Sequence, residues 1–480
     1  MKKIFIILVF GCFHRPAAAQ NYSAVNGSPY NTSLGVHNNP ASIVNSPLKW
    51  DLTILGLQEK HTTNIVKVYN YSLLSSPAKS EYLFAPGNYS RFGYLNANIN
   101  LLNARLAIDR RSAIAFGVNI KSYVSVKSSP YNFIDTIGDF ADFFKLNPGL
   151  RNLSADVSTA SWAEIYASYG RTVREDAASR LNAGITLKVN RGLSGAFLNL
   201  AGGAFEREGG ADPNRFVATQ ADIDAGYSSN YDEFENKGQG NKARNFLTNT
   251  LGGASVDLGL EYIIKLPDGA GAMSNEVNYD YDWKFGLSLL DLGFTQYKFG
   301  KYSTRLRDLK PGILDSVLDQ TFDRGIDDAQ TLRDTLASLY DNVANYIGTF
   351  RINNPTRLVL NVDKFIDQAF YINADISIDL SAVGGDRRTV KDLNLLTVTP
   401  RWETKKLGFY LPFYYNNRNQ AWVGGAARVG PVLFGLHNWA NLLSKKKSQR
   451  GGLYFAITLR APGYREAKGD KRLDCPPTNF

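Results

Sequence analysis

Apolar and polar residues alternate with a period of two along much of this chain. Between residues 94 and 101 every second residue is apolar, and the positions between them hold one tyrosine and three asparagines. Residues 372–380 repeat the pattern with asparagine, aspartate and serine. Because successive side chains of a β-strand point to opposite faces, the pattern predicts strands with one apolar and one polar face. We expect the polar sets to line a hydrated lumen: Asn96, Asn98, Asn100, Asn373, Asp375, Ser377 and Asp379.

Fourteen segments with strand character follow from this reading. They lie at 50–57, 91–109, 113–127, 158–171, 180–200, 251–265, 282–297, 355–365, 369–382, 393–403, 406–417, 420–428, 431–441 and 451–460. Their connections are alternately short and long, as are the periplasmic turns and extracellular loops of outer-membrane barrels. Residues 59–90 contain a further extended stretch, so the count could lie between about 12 and 16. The predicted fold class is all-β, a transmembrane antiparallel outer-membrane β-barrel of about 14 strands.

Two of the long loops carry apolar residues at helical spacing. In 328–347 leucine, valine and isoleucine recur every three or four residues, and Asp328 is available as an N-terminal cap. The shorter stretch 137–146 contains three phenylalanines and is a second candidate helix. The long extracellular loops are therefore expected to be partly helical. Each helix could serve as a lid or a partner-binding surface, or could pack its apolar face onto neighbouring loops.

The N-terminus has the features of a secretory signal peptide. Two lysines precede an apolar run of about ten residues, and alanines at 17–19 offer a cleavage site. A competing interpretation makes Cys12 the lipidated cysteine of a lipoprotein. We predict a signal peptide at 1–19, an N-terminal periplasmic or plug segment at 20–48, a barrel at 49–460 and a periplasmic C-terminal tail at 461–480. The tail holds Cys475, to which the sequence assigns no role.

Composition narrows the protein class further. The 480-residue chain has 27 phenylalanines, 26 tyrosines, two cysteines and a mean hydropathy of −0.24. These values exclude a disulfide scaffold, a bundle of membrane-spanning helices and a disordered chain. The formal net charge is +10, and the basic excess is concentrated at the N-terminus and in 445–472. Nucleic-acid binding needs a basic face spread over the fold, and the charge distribution predicts none, so nucleic acid is not an expected partner. The predicted barrel makes outer-membrane lipid the expected partner.

Candidate chemistry is sparse. The histidines that follow the signal peptide are His37, His61 and His437, and none stands at ligand spacing from another histidine or a cysteine. No motif for a nucleophilic serine, a zinc protease or a phosphate-binding loop is present. We therefore expect neither an enzyme nor a bound metal or cofactor.

A resemblance to a known superfamily adds to this picture. Asn39-Pro40-Ala41, just before the first strand, resembles the N-terminal signature of the FadL-like long-chain fatty-acid transporter superfamily. Segments 184–189, 256–262, 286–293 and 474–477 resemble a Bacteroidota family of uncharacterised outer-membrane barrels. The resemblance implies a fourteen-stranded barrel, a plug motif at Asn39, Pro40 and Ala41, and a porin-like channel or transporter for a small or hydrophobic solute. The alternatives are a plain periplasmic lead-in at 39–41, and a PorV-like secretion-associated scaffold whose loops bind secretion-machinery proteins.

Overall fold

A computed structural model describes residues 22–70, 72, 80–209, 215–232, 250–266, 281–323, 326, 328–367, 369–381, 388–443 and 449–461. The predicted signal peptide, Cys12, and all but the first residue of the predicted tail, with Cys475, lie outside the described residues. None of the described helices is long and apolar enough to cross a bilayer.

The fold is a closed antiparallel β-barrel. The strands are β1 Trp50–Thr63, β2 Val66–Tyr69, β3 Glu81–Phe84, β4 Gly87–Ala107, β5 Ser112–Phe133, β6 Leu153–Glu175, β7 Ser179–Arg207, β8 Phe216–Tyr227, β9 Gly252–Ile264, β10 Trp283–Lys298, β11 Thr304–Leu309, β12 Ile313–Leu314, β13 Tyr340–Asn345, β14 Thr349–Asn353, β15 Arg357–Asp367, β16 Phe370–Asp379, β17 Leu395–Glu403, β18 Leu407–Tyr410, β19 Phe413–Asn416, β20 Gln420–Val423, β21 Gly425–Val429, β22 Val432–Leu436, β23 Arg450–Gly451 and β24 Leu453–Arg460. The helices are α1 Thr32–Gly35, α2 Phe140–Leu146, α3 Asp315–Asp323, α4 Ala329–Ala337 and α5 Ala440–Leu443, with short 3-10 turns at Ser23–Val25, Pro40–Val44 and Ser229–Tyr231.

The barrel wall has fourteen strands, as the alternation predicts. Strand β1 pairs with β4 on one side and with β23 and β24 on the other, which closes the sheet. Four wall strands are interrupted and each consists of two consecutive pieces: β14–β15, β18–β19, β20–β21 and β23–β24. Strands β2 and β3 pair only with each other among the described strands, so residues 59–90 do not raise the count to sixteen.

The two faces of the wall follow the alternation. On β16 the side chains of Ile372 and Ile376 are each 43% exposed, whereas those of Asn373 and Asp375 are buried. Apolar side chains thus form the outer face, and polar side chains point into a lumen that other parts of the chain fill. This matches an outward apolar band with a polar interior, the arrangement of membrane barrels.

Several β-bulges interrupt the pairing of the wall strands, and two of them change which side chains enter the lumen. Leu102 and Asp291 have φ of +52° and +55°, and the pairing register of β4 and β10 shifts at these positions. Because a bulge moves the following residues to the opposite face, Asn103 and Arg105 are luminal although Asn100 is luminal too. Asp291 likewise enters the lumen from the leucine-rich stretch of β10.

The long loops form a packed unit at one end of the barrel. Helix α2 lies inside the predicted stretch 137–146, and α4 begins after Asp328, whose side chain accepts a hydrogen bond from the Thr331 amide. The prediction of a helix over all of 328–347 is wrong in its second half, because residues 340–345 pair with β11 as strand β13. Likewise, residues 201–250 include strand β8, which pairs with β7, β11 and β12. The loop unit buries Phe144, Phe205, Phe216, Leu306, Ile313, Leu318, Leu339 and Tyr340.

Chemical labelling of Cys475 tests the membrane orientation of the barrel. The short turns of the wall lie at the end where β24 finishes, which is the predicted periplasmic side. We expect a membrane-impermeant maleimide to label Cys475 only after the outer membrane has been opened. The control is Ile347→Cys in a Cys475→Ser background, because Ile347 is 90% exposed on the loop unit and should react on intact cells. Labelling of Cys475 on intact cells would invert the orientation.

Candidate functional site

Residues 22–48 lie inside the barrel, and we call them the luminal segment. The segment makes no strand ladder with the wall; it is folded into α1 and two 3-10 turns. Most of its side chains are buried, including those of Tyr22, Leu34 and Ile43. Helical turns satisfy backbone hydrogen bonds locally, so the segment can fill the lumen without joining the sheet.

The tripeptide Asn39-Pro40-Ala41 lies against the wall strands β7, β9 and β10. The Asn39 Oδ1 accepts a hydrogen bond from the Ala41 amide at 2.9 Å and so caps the 3-10 turn Pro40–Val44. Its Nδ2 donates to the carbonyl oxygen of Leu260 at 2.9 Å. The tripeptide thus lies against the inner face of the wall, and its role as a plug stays a prediction.

A row of glycines makes room for this tripeptide. Gly170 faces Gly184 across the β6–β7 pair, and Gly184 faces Gly259 across the β7–β9 pair. A Cβ atom on Gly184 would lie 2.4 Å from the Pro40 carbonyl carbon, and one on Gly259 would lie 2.1 Å from the Asn39 Oδ1. The glycines thus leave the space in the wall that the tripeptide occupies, because any larger residue would place a Cβ atom there. Sequence reasoning missed this row, although glycines at luminal positions of three neighbouring strands are a recognisable signal once the register is known.

The contact between segment and wall is close. Between residues 26–42 of the segment and strands β9, β10 and β15 there is a cavity of about 20 Å³. A cavity of about 10–15 Å³ is the minimum for one water molecule, so this one has room for a single water. At this interface the luminal segment packs against the wall with room for about one water molecule.

A buried ionic cluster, the latch cluster, holds the start of the segment. It consists of Asp363, Arg401, Glu403, Arg428 and Lys284, all in wall strands. The Arg401 guanidinium binds the Asp363 carboxylate through two hydrogen bonds of 2.6 and 2.8 Å and reaches Glu403 at 3.1 Å. Lys284 and Arg401 both donate to the carbonyl oxygen of Gly27, and the Ser28 hydroxyl donates to Glu403.

A second buried ionic cluster, the central cluster, lies further along the lumen toward the loops. Asp291 is its centre, with Lys121 Nζ at 3.0 Å, Lys188 Nζ at 2.7 Å and Arg357 at 3.7 Å. Lys121 also contacts Glu164 at 3.1 Å, and Lys188 contacts Asp257 at 2.6 Å. Removing one member of such a buried set leaves an uncompensated charge, which is strongly destabilising.

An aromatic cluster covers the central cluster on the side of the loops. Tyr123 stacks on Trp162 at a centroid distance of 5.3 Å, and Tyr297 stacks on Phe350 at 5.4 Å. Tyr123 and Trp162 are each two residues from a member of the central cluster, which places the rings one layer above the charges. The cluster comprises Tyr123, Ala160, Trp162, Phe197, Tyr297, Phe350, Ile352 and Val390, with Phe299 and Tyr346 packed against it.

The predicted luminal residues fall into three environments. Asn100, Asn373 and Asp375 contact the luminal segment or the latch cluster. Asn100 accepts a hydrogen bond from the Tyr22 hydroxyl at 3.1 Å, Asp375 accepts one from the Asn26 side-chain Nδ2, and the Asn373 side chain donates to Asp363 at 3.2 Å. Ser377 and Asp379 are half-buried, and Asp379 ends strand β16, where it accepts from the Ser381 amide at 2.7 Å. The expectation of a hydrated wall is wrong for the first group, because protein fills the lumen there.

Asn96 and Asn98 form the third environment. Both are buried, and neither side-chain amide has a hydrogen-bond partner among the described residues. Gln58 pairs with Asn98 across the β1–β4 ladder, and its buried side-chain carbonyl oxygen also has no hydrogen-bond partner among the described residues. Buried polar groups are nearly always hydrogen-bonded to protein or water, so this side of the lumen is a place where water or a polar solute group can bind.

The three histidines have different hydrogen-bond partners. His37 accepts or donates a hydrogen bond with Asn100 at 3.3 Å, His61 with Glu59 at 2.6 Å, and His437 with Gln58 at 3.2 Å. Within the described ranges no group of three or more histidine, cysteine, aspartate or glutamate side chains is arranged to hold a metal ion.

Comparisons with known proteins give a family and several similar structures. The profile described as "Family of unknown function (DUF5723)" matches residues 40–437. No curated protein matches. The toluene transporter TodX of P. putida is 10% identical, with 89% of this chain and 91% of that chain covered and a TM-score of 0.38. A FadL homologue of Pseudomonas aeruginosa is 9% identical, with 92% and 99% covered and a TM-score of 0.30. A mutant of TodX described as a monoaromatic hydrocarbon channel is 10% identical, with 93% and 96% covered and a TM-score of 0.39.

Proposed function

This chain belongs to the DUF5723 family of unknown function, and from that premise we propose that it is an outer-membrane channel for a small solute, gated by its luminal segment. The outward apolar face and the alternation of short turns with long loops support insertion into an outer membrane. The observation that carries the proposal is the luminal segment itself. It closes a polar lumen through contacts that can be broken without opening the sheet.

The proposed gate depends on two of the luminal segment's contacts with the wall, and the hydrogen bonds of residues 30–33 to Asp51 and Arg460 must break as well. The latch cluster binds residues 26–28 by hydrogen bonds to Gly27 and Ser28. The glycine row receives Asn39-Pro40-Ala41 by shape. Because neither contact is part of a strand ladder, the segment can leave while all fourteen wall strands stay paired. A path would then run past Asn96 and Asn98, whose amide groups would contact the solute.

The aromatic cluster gives the class of solute. A solute that enters from the loops meets Phe299, Tyr346 and Phe197 before it reaches the charges of the central cluster. Ring faces bind apolar and aromatic groups by stacking and edge contacts. We propose a small solute with an apolar or aromatic body and at least one polar group, since the lumen beyond the rings is polar.

The proposed gate predicts that one added methyl group in the glycine row, in Gly184→Ala, raises conductance. Gly184→Ala would place a Cβ against the Pro40 backbone and should displace the luminal segment. Overpacking of this kind costs about 1–3 kcal/mol, which corresponds to a shift of the closed–open equilibrium by roughly 5- to 150-fold. Planar-bilayer conductance of the purified protein should rise accordingly, and so should uptake of small aromatic alcohols into proteoliposomes.

Gly93→Ala is the matched control for this experiment. Gly93 is also a strand glycine, but a Cβ there would meet its nearest atoms at 3.5–3.8 Å, which is ordinary contact. Conductance of the control should equal that of the wild type. Heat-modifiable gel migration reports whether each variant is a folded barrel. A folded Gly184→Ala barrel with wild-type conductance would contradict the gate.

The scaffold alternative has less support. The apolar faces of α3 and α4 pack inward, with Leu318, Leu336 and Leu339 in or against the core of the loop unit. They are therefore already used within the molecule, and no comparison points to a secretion-associated partner. That the protein is not an enzyme stays a prediction.

A further inference from the structure

The outer face of the barrel carries a concave apolar groove of about 540 Å³. It crosses five neighbouring wall strands, from β16 to β22, and its upper end reaches α5. We call it the outer groove; Trp402, Phe409, Phe434 and Trp439 form its walls, and Gly425 and Ala427 form its floor. Its volume lies within the range of about 300–1,000 Å³ that is typical of sites for small organic molecules.

Alternation shows that this groove faces away from the lumen. Phe409 and Phe434 are about half exposed, while their neighbours Tyr410 and Leu433 are buried in the core that surrounds Tyr22 of the luminal segment. The concavity has a local cause. Pro412 separates β18 from β19 and Gly424 separates β20 from β21, so two adjacent wall strands are interrupted at the same height. Trp439 then folds over Gly425, where a side chain would not fit.

A basic turn lies at the periplasmic end of the groove. Strands β17 and β18 are joined by Thr404, Lys405 and Lys406, with Lys406 exposed and Lys405 half-buried. The neighbouring β15–β16 turn contributes one carboxylate, Asp367, so the two turns together are net positive. Phe409 is three residues above Lys406 on β18, which brings the aromatic wall of the groove directly to the basic turn.

From this juxtaposition we propose that the outer groove binds an anionic phospholipid of the periplasmic leaflet. An acyl chain lies between the aromatic walls over Gly425 and Ala427, and the headgroup phosphate lies on Lys405 and Lys406. The groove begins at the periplasmic turns and runs up the wall, which is the course that a lipid of that leaflet must take. The proposal rests on the membrane insertion of the barrel proposed above, but not on solute conduction.

The test uses the purified full-length barrel in detergent with palmitoyl-oleoyl phosphatidylglycerol as the probe. Native mass spectrometry measures the retained lipid, with phosphatidylcholine of the same acyl chains as the neutral comparison. The wild type is expected to retain phosphatidylglycerol preferentially. Ala427→Trp, which fills the floor, should remove the retained lipid. The double substitution Lys405→Gln/Lys406→Gln should weaken retention of phosphatidylglycerol by roughly 30-fold, while phosphatidylcholine binding stays unchanged.

Two matched controls separate a site from general wall effects. Ala167→Trp places the same ring on the exposed outer face of β6, on another part of the wall. Arg110→Gln/Arg111→Gln removes two charges from a different periplasmic turn. Both should retain lipid as the wild type does. Equal retention by Ala427→Trp and Ala167→Trp would overturn the site, and equal retention of the two lipids by the wild type would overturn the anionic assignment.

Other occupants give distinct results. A dimer in the same detergent that Ala427→Trp dissociates would assign the groove to a second copy of the chain and overturn the lipid. Heat-modifiable migration is measured for every variant, so that loss of folding is recognised as a failure of the barrel rather than of the groove. Conductance of the Ala427→Trp protein is measured separately from lipid retention. If it equals that of the wild type, a negative lipid result contradicts the groove proposal and not the channel proposal.

Discussion

Replacing Asp291 with asparagine is expected to destabilise the barrel by about 3–5 kcal/mol, because the cluster then keeps three buried cations around a neutral amide. Lys121, Lys188 and Arg357 all face this carboxylate. Asparagine has nearly the same shape, and it tolerates the left-handed φ of +55° that residue 291 adopts. The substitution therefore removes the charge alone. Urea unfolding followed by heat-modifiable gel migration measures the loss.

Asp308→Asn is the matched control for the central cluster. Asp308 has a left-handed φ of +60° as well, but its side chain is exposed on the loop unit. Exposed substitutions of this kind usually change stability by less than about 0.5 kcal/mol. Equal unfolding midpoints for the two variants would show that the central cluster contributes little to stability.

Placing arginine on the outer face of β16 should impair insertion strongly. Ile376 is 43% exposed on the face that we assign to lipid. A mid-bilayer arginine facing lipid costs about 2–4 kcal/mol in a membrane barrel. Ile376→Arg should therefore lower the yield of folded barrel in lipid vesicles and shift its unfolding midpoint to lower urea.

Ser377→Arg is the control on the adjacent residue. Ser377 is half-buried on the luminal face, and its hydroxyl has no hydrogen-bond partner among the described residues. An arginine there can reach the hydrated part of the lumen, so its folding yield should stay near that of the wild type. If the two variants fold equally well in vesicles, either the assignment of the faces is reversed or β16 does not contact lipid.

The fold was predictable because a barrel strand needs only local information to be recognised. Residues 94–100 and 372–376 show which face each side chain takes, and the lengths of the connections give the closure. The bulges at Leu102 and Asp291 were not predictable in this way, because strict alternation of faces assumes that no extra residue is inserted into a strand. Asp291 stands among leucines at 287, 289, 290 and 292, so it read as part of an apolar stretch.

The site was less predictable than the fold. Lys121 alternates with apolar residues on β5, but its partners come from β6 and β10, and only the register brings them together. The course of the luminal segment was hidden for a different reason. Residues 22–48 have no periodicity, and their position depends on shapes such as the glycine row, which no single stretch of sequence reveals. The tripeptide at 39–41 was indicated by resemblance alone.

The luminal segment has a consequence for the order in which the molecule is assembled. Residues 30–33 bridge the seam between the first and last wall strands. The Thr32 hydroxyl and the Ser33 amide donate to Asp51 of β1 at 3.0 and 2.9 Å, while Arg460 of β24 donates to the Tyr30 carbonyl oxygen at 2.9 Å. The contact between Arg460 and Tyr30 joins residues 430 positions apart, so we expect it to form late, when loop-closure entropy has been overcome. We therefore expect residues 30–33 to reach their final position only when the first and last wall strands close the barrel.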